Sequence, residues 1–89
     1  MSICKKADEL VDGDRQEQYA DPVKNFVLIS ELATRLLARP VSAADCAKVM
    51  LAVKLSREAY KHKEDNLVDL CGYAEILNRI ESISGASHD

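Results

Sequence analysis

From Val49 to Val53 every residue is apolar, and eight residues later the short Lys61-His62-Lys63 stretch separates this segment from another helical run. A helix followed by so short a connection folds back on its neighbour, because short connections join antiparallel helices. The expected fold is therefore all-α, a small four-helix domain built on an antiparallel helical hairpin. A segment apolar at five successive positions also needs neighbours on several faces, and one chain of 89 residues has few to offer. A homo-oligomer that closes the remaining apolar faces is expected for that reason.

Local signals place the other elements. Ile3, Ala7, Leu10 and Val11 recur at helical spacing and define a short first helix that Asp12-Gly13 interrupts. Residues 14–20 are polar without a clean period and read as a structured connector, in which Arg15 and Tyr19 would share a face if a helical turn persisted. Asp21-Pro22 opens the second helix, since aspartate at the N-cap accepts from free amides and proline at the first position loses no hydrogen bond. Its stripe of Val23, Phe26, Val27, Ser30, Ala33, Leu36 and Leu37 faces a core, and the helix ends before Pro40. Ser42 and Asp45 have capping-box spacing and open the third helix. The fourth runs from about Glu64 to Ile83. Residues 1–83 thus form a single helical domain, with 84–89 as a frayed tail.

Composition excludes several function classes. The net charge is -3 and no basic run exceeds Lys5-Lys6, so capture of nucleic acid or an anionic membrane surface is not favoured. Aromatic residues make up 4%, too few for a platform that stacks single-stranded bases. No apolar run approaches the roughly 18 residues of a membrane span, and the expected location is the cytoplasm. Cys4, Cys46 and Cys71 are odd in number, widely spaced and without a CxxC, which argues against a disulfide framework and against zinc. They read as inert buried thiols.

Charged residues converge where the hairpin turns. Lys54 and Arg57 lie one turn apart and interrupt an apolar face, while Asp65, Asn66 and Asp69 return on the next helix. Counted outward from the turn, Arg57 and Asp69 are nearly equidistant, and Lys54 is about level with Gly72 and Tyr73, so these groups fall within two helical turns of each other. Such a cluster suits a phosphate held by Lys54 and Arg57. On charge pattern alone it suits better a structural network in which Arg57 and Asp69 close the hairpin and Asp65 or Asn66 caps the fourth helix. Gly72 adds weight to close approach at this level, because an interior helical glycine costs about 1 kcal/mol. Tyr19 and Asn25 are further candidates to orient a ligand, against plainer roles at the core edge and at the helix start. His62 has no second ligand or nucleophile beside it and reads as a solvated turn residue.

The combination Arg15-Gln16, Tyr19-Ala20-Asp21-Pro22 and Asn25-Phe26, then Lys54 and Arg57, then Asp65-Asn66, Asp69 and Gly72-Tyr73 resembles a family of short bacteriophage and prophage proteins. Its members usually show R-Q-x-x-Y-G-D-P-x-x-N-F, K-x-x-R and D-N-x-x-D-x-x-G-Y. The likeness covers about residues 10 to 78, with Ala20 where the family has glycine. Its function is uncharacterised, so the resemblance implies a viral setting and a set of positions: Arg15, Tyr19, Asn25, Lys54, Arg57, Asp65, Asn66, Asp69 and Tyr73. A weaker likeness is to the MazG-like nucleotide pyrophosphohydrolases, all-α proteins whose E-E-x-x-E and E-x-x-D motifs bind magnesium. Here Asn66 stands where the second motif has glutamate, and Glu31 alone supplies a carboxylate in the middle of the second helix.

The leading expectation is a binding protein that takes a phosphate-bearing nucleotide or nucleotide-derived signal in the host cytoplasm, with sequestration from host defence as its use. It calls for no resident cofactor. Magnesium enters only with the enzymatic alternative, hydrolysis of a nucleoside triphosphate with Asp65 and Asp69 as ligands, which ranks second. A third alternative is inhibition of a host protein through a helical face.

Overall fold

The computed structural model describes residues 2–12 and 21–83, all of its regular structure helical. Four helices lie among the described residues: α1 (Ile3–Asp12), α2 (Pro22–Leu37), α3 (Ala43–Tyr60) and α4 (Glu64–Ile83). The expected connector and the expected tail, with Arg15 and Tyr19, lie outside the described residues.

The helix starts follow from their caps. Asp21 accepts from the Val23 amide at 2.8 Å, with Pro22 at the first helical position. Ser42 Oγ accepts from the Asp45 amide at 3.0 Å, and the Ser42 amide donates to Asp45 Oδ2 at 3.1 Å, completing the capping box. That reciprocity, through the Ser42 amide first and its hydroxyl second, holds the Asp45 carboxyl below its ordinary value. Between them, α2 stops at Ala38, which turns left-handed at φ 55° before Pro40. Thr34 Oγ1 then holds the connection, accepting from the Val41 amide at 3.0 Å and donating to its carbonyl at 3.2 Å.

Phe26 from α2, Cys46 and Ala47 from α3, and Ile76 and Ile80 from α4 form the buried core. Tyr73 packs edge-on to Phe26, with ring centroids 6.1 Å apart at 85°. Burial raises the Cys46 thiol above its ordinary value, as expected for an inert core cysteine.

The other two cysteines overturn the reading against a disulfide. Cys4 on α1 and Cys71 on α4 are bonded, with their Cα atoms 5.2 Å apart. Sequence spacing gave no hint of this, because the 67-residue separation is closed by tertiary packing of α1 on α4. Lys6 and Glu64 make an ion pair between the same two helices, and Ala7 is buried. Lys6 correspondingly lowers the Glu64 carboxyl.

Apolar burial also departs from expectation. α2 buries Phe26 and Ser30, while Val27, Leu36 and Leu37 from the expected core stripe are exposed. On α3, Val49 and Leu55 are exposed as well. Both helices are apolar around much of their circumference, and the described chain covers only one side of each.

Candidate functional site

The junction of α3 and α4 is organised by Glu58, a residue that spacing arguments did not single out. Its Oε1 accepts from the Lys63 amide at 3.0 Å and from Asn66 Nδ2 at 3.2 Å, while its Oε2 pairs with His62 Nδ1. The Lys61 amide donates to the Arg57 carbonyl at 3.0 Å and ends α3. One carboxylate therefore ties the last turn of α3 to the connection and to the first turn of α4. The His62 contact first, then the Lys63 amide, hold the Glu58 carboxyl below its ordinary value, and Asn66 adds to this. The visible clue in the sequence was the i, i+4 spacing of Glu58 and His62.

Asn66 is 6% exposed and its side chain donates to Glu58, so it serves the junction, whereas the expected structural network has Asp65 or Asn66 as a helix cap. The ion pair across the junction also differs from expectation. Lys54 Nζ lies 2.8 Å from Asp69 Oδ2, with the lysine side chain only 13% exposed, whereas Arg57 makes no ion pair with a described residue. Lysine reaches Asp69 because both lie nearer the covered side, where a short-range partner offsets desolvation. Arg57 lies one turn closer to the connection and is exposed.

An open cleft of about 630 Å³ lies over this junction. Of the expected site residues it is lined by Lys54, Arg57, Asp65, Asn66 and Asp69. Sequence reasoning missed Lys61 and Lys63, treated only as turn residues, and Tyr60, which is 92% exposed at its edge. Asn25 and Tyr73 are not among the described lining residues: Asn25 sits in the first turn of α2, and the Tyr73 ring is against Phe26. Gly72 is buried one turn beyond Asp69.

The charge balance of the lining is four cations to two carboxylates, in a chain that is acidic overall. Lys54 is neutralised by Asp69, leaving Arg57, Lys61 and Lys63 with no ion pair to a described residue. An arginine fork beside flexible ammonium groups suits phosphate or carboxylate oxygens. Among the described residues, no three His, Cys, Asp or Glu side chains converge as a metal-binding group. Also among the described residues, no helix is long and apolar enough to cross a membrane.

Fold and site together define an all-helical protein with a cation-lined cleft at a helix–helix junction. The family described as "Domain of unknown function (DUF6378)" matches residues 2–81, and the chain belongs to it. It is 32% identical over 80 residues to the Gene 55 protein of Mycobacterium phage D29, covering 89% of this chain and 53% of that protein. It is 29% identical over 83 residues to the Gene 55 protein of Mycobacterium phage L5, covering 91% of this chain and 53% of that one. The chain thus spans about half the length of these curated relatives. The family is therefore one with bacteriophage members. No solved structure matches the chain.

Proposed function

We propose that the α3–α4 cleft binds a phosphate-bearing nucleotide or nucleotide-derived signal, and that the protein withholds this ligand in the host cytoplasm as a counter-defence. The observation that carries the reading is the trio Arg57, Lys61 and Lys63, which line the cleft without an ion pair among the described residues. Lys54 and Asp69, locked together at 2.8 Å, form the rigid floor. Arg57, Lys61 and Lys63 take phosphate oxygens, and Asp65 accepts from ribose hydroxyls. The exposed Tyr60 ring offers a face to a base. In this reading the last two helices form an antiparallel hairpin whose turn is the binding end. Glu58 holds that turn in place.

The test is isothermal titration against nucleotides and cyclic nucleotide signals, with and without magnesium, and product analysis of each mixture. Saturable binding with unchanged ligand is expected. Arg57→Ala should weaken it by about tenfold or more, since a charge-assisted hydrogen bond is worth about 1.5–3 kcal/mol. Absence of heat with every ligand, or an Arg57→Ala affinity equal to that of the parent, overturns the proposal. Magnesium-dependent product would replace it with nucleoside triphosphate hydrolysis, and Asp69→Asn should then abolish turnover.

A further inference from the structure

α2 presents to solvent what a helix ordinarily buries. Val27, Leu28, Ile29, Leu32, Leu36 and Leu37 are all exposed, Leu36 by 84%. The exposed polar positions on the same helix are Lys24, Glu31 and Arg35. Beside that polar stripe, a contiguous exposed row of large apolar side chains is the mark of a packing surface.

The surface has the form of a helix-packing site. Leu28, Ser30, Glu31, Leu32, Thr34 and Arg35 line a depression of about 460 Å³. Four of these, Leu28, Glu31, Leu32 and Arg35, have the i, i+3, i+4, i+7 spacing of a hole that receives one side chain, the knob, from a facing helix. Leucine knobs stand one turn apart on α2 itself, at Leu28, Leu32 and Leu36.

We infer that the occupant is α2 of a second copy of this chain, packed antiparallel about a two-fold axis. The charges select this occupant. Glu31 and Arg35 are opposite in sign, one turn apart and without an ion pair to a described residue. An antiparallel copy reverses their order, so Glu31 of each protomer meets Arg35 of the other twice over. A two-fold interface requires such self-complementarity. This pairing uses a different surface from the nucleotide cleft and does not depend on it.

The experiment is sedimentation velocity of the full chain over a concentration series, with circular dichroism confirming the helical fold of each variant. The parent should be a dimer, while Glu31→Arg and Arg35→Glu should each weaken association by about tenfold or more through like-charge contact. Mixed in equal amounts, the two variants should form a heterodimer, because both contacts are then restored. The double variant should also dimerise. A parent monomeric up to about 100 μM overturns the inference and leaves the face to a different protein. A dimer indifferent to both single reversals, or variants not rescued by mixing, overturns the α2 pairing itself.

Discussion

The α3–α4 junction and the outer face of α2 invert the usual distribution of side chains in opposite ways. At the junction polar groups are covered: Asn66 is buried, and Lys54 is largely so, each with a partner. On α2 large apolar groups are uncovered, and no described residue packs over them. Buried polar residues and exposed apolar patches are the informative departures in a folded chain, since scattered exposed leucines are ordinary. The junction has resolved its unfavourable burial internally, through Glu58 and Asp69. The α2 face has not: among the described residues its large apolar side chains stay exposed.

The contrast can be broken most directly by truncating one buried and one exposed residue of the same helix. Phe26→Ala should cost about 3–5 kcal/mol in urea unfolding, since it empties the core between three helices. Leu36→Ala should change the stability of dilute monomer by no more than about 0.5 kcal/mol. A similar cost for both would mean that the outer face is already packed. Next in size, Asn66→Ala removes the amide donor to Glu58 and should cost about 1–3 kcal/mol by the same measurement. If it costs nothing, the junction is not the self-contained network described.

The smallest effect concerns pH. The Glu58 carboxyl is lowered in the folded protein from its usual 4.5, chiefly by His62 and the Lys63 amide. Asp45 and Glu64 are lowered too, by Ser42 and by Lys6 respectively. A depressed folded-state value contributes stability that is present above about pH 4.5 and lost as pH falls through the lower folded value. Melting temperature should therefore fall below pH 4.5 in the parent, and Glu58→Gln should flatten part of that decline. An unchanged profile in Glu58→Gln would show that the junction contributes nothing to acid sensitivity.

Much of the fold was legible. Asp21-Pro22 and the Ser42–Asp45 box announced their helices because N-caps act on amides two or three residues away, within reach of a short-range rule. The cleft was half legible. Periodicity brought Lys54, Arg57, Asp65, Asn66 and Asp69 to one level, but assigned Asp69 to Arg57 and overlooked Glu58, Lys61 and Lys63. Level along a helix follows from rise per residue, whereas the choice of partner depends on rotation and depth.

By itself, then, the sequence determined that the chain is helical, where three of its described helices begin or end, and that opposite charges gather near residue 61. Each of these follows from interactions within a few residues. Tertiary structure alone decided that Cys4 meets Cys71, that Lys54 and not Arg57 holds Asp69, and that α2 turns Phe26 inward while Leu36 faces outward. These outcomes depend on how helices rotate and settle against one another. When a helix is apolar around most of its circumference, its pattern names no single face, and only packing selects which side the chain itself will cover.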